Sequence, residues 1–289
     1  MSKILFFLLA LIFPLFSYAL DFSLSAKKLV TLDLVNLKKV FKIHKVSVFN
    51  PYIKKSETFN AFYMPDILNH IYTGKESWQK SFAFEVDTLT GYRPIVETYK
   101  FSKRNSYLAF EKDGGLPFVS IDSYRESAVD LSPFYLIWIE DRKKVPSRRR
   151  IHWVSQIKSF NLINSYPVEI IPGSGSAENI TWGYKNVRKH CLACHTVYGV
   201  GSQKDGELIT SEILSSYTDE LLYKLIDRPR SVKESMDMPI FSPKIDLRSK
   251  RIRDIISYLR YLERLKPTEA NRKKHDKLLK SLESVKKKY

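Results

Sequence analysis

The residues in this chain whose types and spacing can do chemistry together are Cys191-Leu192-Ala193-Cys194-His195. The pattern C-x-x-C-H is the attachment signature of a c-type haem. Each cysteine sulfur can add across one vinyl group of the macrocycle, and the adjacent histidine can reach the iron as an axial ligand. Two intervening residues let one turn of helix present both sulfurs to the haem edge. A C-x-x-C pair is also read as a thiol redox couple or as half of a zinc site. A zinc site needs further soft ligands, and these are the only two cysteines in 289 residues. A redox couple leaves His195 without a role.

In a bacterium, covalent haem attachment requires export to the envelope, and the start of the chain fits export. Lys3 gives a short positive start, Ile4 to Phe16 is an apolar run broken only by Pro14, and Ser17-Tyr18-Ala19 offers small residues for cleavage. Residues 1–19 read as a signal peptide cut after Ala19. The apolar run is short for a membrane span of ~20 residues. No cysteine follows it, as a lipoprotein would need, and no later segment is apolar enough to cross a bilayer. The mature protein is therefore expected in the periplasm.

The formal charge is +17. A balance this basic is compatible with nucleic acid, an anionic membrane or an acidic protein partner. Export removes nucleic acid and leaves redox partners with acidic surfaces, with peripheral contact to anionic lipid as a second possibility. Two basic stretches could serve either: the loop from Asp141 to Arg150 and the tail 267–289, whose Leu278, Leu279, Leu282 and Val285 give weak amphipathy. The bland reading of both is solvated surface.

Residues 20–172 carry short aromatic strand patterns separated by turn signals, the mark of a β-rich α+β domain. Alternation of Val40, Ile43, Val46 and Val48 predicts a strand over 39–49. Met64 to Tyr72 predicts a short helix with Pro65 in its first turn and Gly74 after it. Strands are expected at Phe82–Val86, Tyr107–Phe110, Phe134–Ile139 and Val154–Leu162, with turns at Gly91-Tyr92-Arg93-Pro94 and Asp113-Gly114-Gly115. His44, His70 and His152 are scattered without metal-ligand spacing and read as ordinary histidines.

The order of these features resembles the molybdopterin-binding fold of the sulfite oxidase family over residues 40–165. The features are the Met-Pro-x-Ile-Leu helix, a Trp, a strand ending at Thr-Gly-Tyr-Arg-Pro, Tyr-Leu-Ala-Phe, and Val-Asp-Leu-Ser-Pro-Phe-Tyr-Leu-Ile-Trp. The resemblance implies a molybdenum held by a cysteine thiolate just before the Gly91 turn. Here that stretch is Val86-Asp87-Thr88-Leu89-Thr90-Gly91, without cysteine, and Asp87 is a poor replacement for a soft thiolate. Molybdopterin is therefore not expected, and the domain reads as a scaffold or docking unit.

Pro172-Gly173-Ser174-Gly175-Ser176 marks a boundary, and 173–266 is expected to be an all-α second domain. Helices are predicted from Glu178 to His190, from Thr218 as N-cap to Asp227, and from Ser249 to Leu265. The last carries the stripe Ile252, Ile255, Ile256, Leu259, Leu262. The apolar face Leu221, Leu222, Leu225 is expected to cover the haem edge. With the attachment motif, the loop Met236-Asp237-Met238-Pro239 and this terminal helix, the domain resembles the class I cytochromes c. The resemblance implies that Gly183 lets the first helix cross the last closely, with Tyr258 at the crossing. It also implies that the loop after His195 supplies a carbonyl to the histidine's other ring nitrogen. Val187 stands where that family has an aromatic, and Glu207 where it has Pro.

The sixth iron ligand is sought among three methionines after the leader, of which Met64 lies in the other domain. Met236 and Met238 lie 41 and 43 residues beyond His195. Met238 is chosen because Met-Pro is the family's form, with Met236 as fallback; His190 is the rival, poorly placed beside Cys191. The expected protein is thus a periplasmic monohaem electron carrier with His195 and Met238 as iron ligands and the haem edge near Cys191 and Cys194 as exit. The alternatives are a haem-linked molybdenum oxidoreductase and a haem sensor or peroxidase-like protein with an open iron site.

Overall fold

The computed structural model describes residues 19–25, 27–50, 55–73, 77–103, 105–122, 127–139, 154–164, 170–241, 243 and 245–265. Residues 1–18 of the expected leader 1–19, Gly74, the basic loop 141–150, His152 and the tail 267–289 lie outside the described residues, while Ala19 opens the first strand. A β-rich N-terminal region is followed by a helical C-terminal one.

The first region runs β1 (Ala19–Leu24), β2 (Lys27–Asp33), α1 (Leu34–Val40), β3 (Ile43–Asn50), β4 (Lys55–Tyr63) and α2 (Met64–Ile71). It continues with β5 (Ala83–Thr88), β6 (Ile95–Glu97), α3 (Thr98–Lys103), β7 (Asn105–Lys112), β8 (Val119–Asp122), β9 (Ser127–Asp130), β10 (Tyr135–Ile139) and β11 (Ile157–Ile163). One sheet has the order β2-β1-β11-β5-β6 and a second the order β10-β7-β4-β3, while β8 and β9 pair as a hairpin. Strand β1 lies parallel to β11; every other pairing is antiparallel.

Alternation explains the layering. Phe22, Phe84, Val86 and Phe160 of the first sheet meet Phe62, Leu108 and Leu136 of the second in one core, which α2 closes with Ile67 and Leu68. Phe59, Ala61, Ala109, Tyr135 and Ile137 build a smaller core on the other face of the second sheet. Tyr72, after α2, turns its hydroxyl onto the Ser23 and Phe160 carbonyls (2.8 and 3.2 Å), tying helix to sheet. The strand expected over 39–49 starts only at Ile43. Lys39 and Val40 close α1, whose first turn is capped by Asp33 accepting from the Asn36 amide at 2.7 Å. A cap four residues ahead of an apolar Leu37 outweighs the alternation of Val40 and Ile43.

The second region contains α4 (Glu178–His190), the short strands β12 (Thr196–Val197) and β13 (Val200–Gly201), α5 (Glu212–Ser216), α6 (Asp219–Asp227), α7 (Pro229–Val232) and α8 (Arg248–Arg264). The ends predicted for α4, α6 and α8 agree to within a residue. Thr218 accepts from the Leu221 amide at 3.2 Å to start α6. All five stripe residues of α8 are buried, with Ile180, Tyr184, Val187, Leu222 and Ile226 packed in the same core. On α6 the fully buried set is Leu222, Leu225 and Ile226; Leu221 is only half-buried. The helical core reaches back to Ile170, whose carbonyl accepts the Tyr258 hydroxyl at 2.5 Å. Among the described residues no helix is long and apolar enough to cross a membrane.

The tightest packing is where α4 crosses α8. A Cβ on Gly183 would lie 2.0 Å from the Asp254 carbonyl oxygen and 2.5 Å from Tyr258 Cβ. Beside it the Tyr184 and Tyr258 rings pack with centroids 5.8 Å apart. Helix propensity favours Ala over Gly by about 1 kcal/mol, but a backbone oxygen cannot step aside. Gly183→Ala should therefore destabilise the protein by about 1–3 kcal/mol, as overpacking does, read by denaturant titration; equal or greater stability would mean the helices are free to separate.

Candidate functional site

Helix α4 delivers the attachment motif. The Cys191 amide donates to Val187 O (2.8 Å), and the amides of Cys194 and His195 both donate to Cys191 O (3.0 and 2.8 Å). The helix thus winds directly into a tight turn. Leu192 and Ala193 point into the core, while Cys191, Cys194 and His195 stay half-buried. Burial, with a smaller contribution from Cys194, pushes the Cys191 thiol up to about 12.

The loop after His195 is fastened by its backbone. Thr196–Val197 pairs with Val200–Gly201 across Tyr198 and Gly199, both at positive φ. Glu207, where the family resemblance has Pro, accepts from the amides of Tyr198 (3.1 Å), Gly199 (3.0 Å) and Ile209 (3.1 Å). The carboxylate does by hydrogen bonding what a ring would do by rigidity. Tyr198 extends its hydroxyl to Leu262 O at the end of α8 (2.6 Å). Gly201, at φ 115°, has room for no side chain, since a Cβ would meet His195 O at 2.3 Å. The carbonyls of Leu192, Cys194 and Gly206 take the amides of Ser202 (2.9 Å), Asp205 (2.8 Å) and Thr196 (3.0 Å). The carbonyl partner expected for the His195 ring is not in place among the described residues.

Met238 is half-buried and packs against the helical core that also holds Cys191. Met236, also half-buried, is not part of that core; its carbonyl accepts from Arg230 at 3.4 Å. The methionine loop is held by the Phe241 amide donating to Ile226 O (3.2 Å) and by Arg248 donating to Phe241 O (2.8 Å) and Asp227 O (2.9 Å). His190, the rival ligand, lies with its ring 5.1 Å from that of Phe241 on the same loop. His44 and His70 pack against Tyr107 and Phe41. Among the described residues no group of three or more His, Cys, Asp or Glu side chains gathers as a metal cage would need.

Asp87, at the place of the absent thiolate, is taken up by Arg93. Alternation puts Glu85 and Asp87 on one face of β5, and Arg93 folds back between them, pairing with Asp87 and, at 3.1 Å, with Glu85. Ser159 adds a bond to Asp87 at 3.1 Å. Burial works against the Arg93 charge, but the two carboxylates outweigh it and raise its pKa. Burial raises that of Glu85, which Arg93 only partly offsets.

Sequence reasoning did not foresee that this turn of the β-rich region touches the attachment turn. The Arg93 amide donates to Ala193 O (2.8 Å) and Ser202 Oγ donates to Gly91 O (2.6 Å). Phe82 and Ile95 pack against the helical core, and Arg188 of α4 reaches Glu97 at 3.7 Å. Gly91 at positive φ was the single local signal. No protein-family model matches the chain, and no curated protein is detectably similar to it. Its function therefore has to be argued from these side chains.

Glu97 allows a pH test of the contact between the regions. Burial opposes its charge, but Lys100 and Arg188 outweigh that and hold its carboxyl below the usual range. A depressed carboxylate contributes stability above its unfolded pKa, here near 4.5, and loses it as pH falls through the folded value. Glu97→Gln should cost about 1 kcal/mol at neutral pH and less at pH ~3, as the native carboxylate takes up its proton. Denaturant titrations at the two pH values check this; an equal deficit at both would mean the charge is not what matters.

Proposed function

We propose that this protein is a periplasmic, monohaem c-type electron carrier whose helical region is a class I cytochrome c and whose β-rich region is a sulfite-oxidase-like unit without molybdenum. The observation that carries the reading is the joint placement of Cys191 and Met238. The motif turn that ends α4 and the methionine loop between α7 and α8 share one apolar core, braced by the Gly183 crossing. These residues fit haem c: two sulfurs one turn apart, a histidine next in line, and a thioether on a separate loop. Cys191 and Cys194 would attach the macrocycle, and His195 and Met238 would hold the iron. Bound there, the iron supplies one-electron chemistry, and Met/His ligation favours its reduced state, as suits a carrier.

The chain's own part is to bind, orient and shield. Leu192, Val197, Phe241 and Leu222 give apolar surroundings, in which a group of low polarity is favoured. The hairpin fastened by Glu207 fixes the backbone that carries His195. No general acid, base or nucleophile is required. Asp87 is already committed to Arg93 and Ser159, which speaks against a metal on the β-rich unit. The net charge of +17 would steer acidic redox partners toward the protein.

The ligand assignment is tested by spectroscopy of the exported, haem-loaded chain. Met238→Ala should lose the methionine-to-iron charge-transfer band in the red and let the reduced protein bind carbon monoxide. Met236→Ala should keep the band and stay closed to carbon monoxide. A band that survives in Met238→Ala would mean another ligand; wild-type protein that binds carbon monoxide freely would favour an open iron site.

A further inference from the structure

An electron carrier has no need of a β-rich unit, yet this one is fastened onto the attachment turn. The Arg93 amide bonds the carbonyl of Ala193, the residue between the two motif positions Leu192 and Cys194. Ser202, only 2% exposed, donates its hydroxyl to Gly91 O at 2.6 Å and its amide to Leu192 O at 2.9 Å. Lys204 Cβ sits 3.6 Å from where a Cβ on Gly91 would be. Between these fastenings stands Tyr92, half-buried and within electrostatic reach of Cys194. Its carbonyl is held by Thr88 Oγ1 at 2.8 Å. The Arg93 side chain, clamped by Glu85 and Asp87, keeps the turn folded back on β5. Burial, with Cys194 adding to it, pushes the Tyr92 hydroxyl up to about 12.

We propose that the Gly91–Arg93 turn is a cover on the haem-attachment turn, with Tyr92 as the side chain that keeps water from the Cys194 side, and that this cover raises the haem's reduction potential. The inference rests on the haem reading above. The oxidised iron centre carries one more positive charge than the reduced one, so water stabilises the oxidised form and its exclusion favours the reduced form. The cover also moves the exit: a partner cannot approach through Cys194 and must use haem edge that the turn leaves open. Asp87 and Glu85, in this account, act on the haem only by positioning Arg93 and the turn.

The test is a redox titration of the full haem-loaded chain. Tyr92→Ala should lower the potential by a shift equivalent to about fivefold in the oxidised-to-reduced ratio, or about 40 mV at about 59 mV per tenfold for one electron. Tyr92→Phe, which keeps the ring, should stay at the wild-type value. So should Ser120→Ala, which removes a buried hydroxyl bonded to Glu57 elsewhere in the β-rich unit and controls for simple destabilisation. If Tyr92→Ala does not fold, Ser202→Ala decides, with a smaller fall in the same direction. A potential unchanged or raised in Tyr92→Ala overturns the cover, as does a Tyr92→Phe value as low as that of Tyr92→Ala. Where Ser202→Ala decides, an unchanged potential overturns it. Wild-type protein without haem absorption bands overturns the haem reading itself, and the cover with it.

Discussion

At Gly183 the axes of α4 and α8 come so close that no side chain fits, and much of the helical region is referenced to that point. Helix α4 ends two turns later at Cys191, so the crossing fixes where the attachment turn begins. Helix α8 ends at Arg264, and its Leu262 carbonyl holds Tyr198 on the far side of the same loop. Both ends of the stretch from Cys191 to Tyr198 are thus set by one contact between two helices. Tyr258 carries the reference further, through its hydroxyl bond to Ile170. A glycine costs helix stability on its own; here that cost is offset by a close approach that a larger residue would prevent.

The β-rich unit solves a different problem with a charge cluster. Glu85 and Asp87 share a face of β5 because strand side chains alternate, and two like charges on one face repel. Arg93 relieves that repulsion and in doing so bends the following turn back over the strand. Its amide is left pointing at Ala193. A charge cluster that reads as local structural repair therefore sets the position of a contact with the other region of the chain. With no thiolate in this stretch, the carboxylates and the arginine satisfy one another.

Local signals made the helical region legible. Thr218 with Asp219 and Glu220 and the stripe of α8 each act within a few residues, and the structure follows them closely. The choice of Met238 over Met236 was made on the neighbouring proline; Met238 packs against the helical core. The β-rich unit was legible only in part. Strands β7 and β10 announce themselves by aromatic and branched runs. Strand β1 opens at Ala19, the last residue of the expected leader, and pairs with β11, where Ser23 bonds Asn161 across 138 positions; no window of sequence contains that information. Helix α1 was missed because its capping Asp33 competes with a strand-like alternation. The bond from Arg93 to Ala193 spans a hundred residues and leaves no trace in composition or period.

The central claim is that haem is held covalently through Cys191 and Cys194. Intact-mass spectrometry of the exported protein tests it most directly. The account predicts a mass greater than that of the leader-free chain by one haem, retained under denaturing conditions and absent when both Cys191 and Cys194 are replaced by alanine. A denatured wild-type chain with the mass of the polypeptide alone, isolated from cells competent in haem attachment, would contradict it.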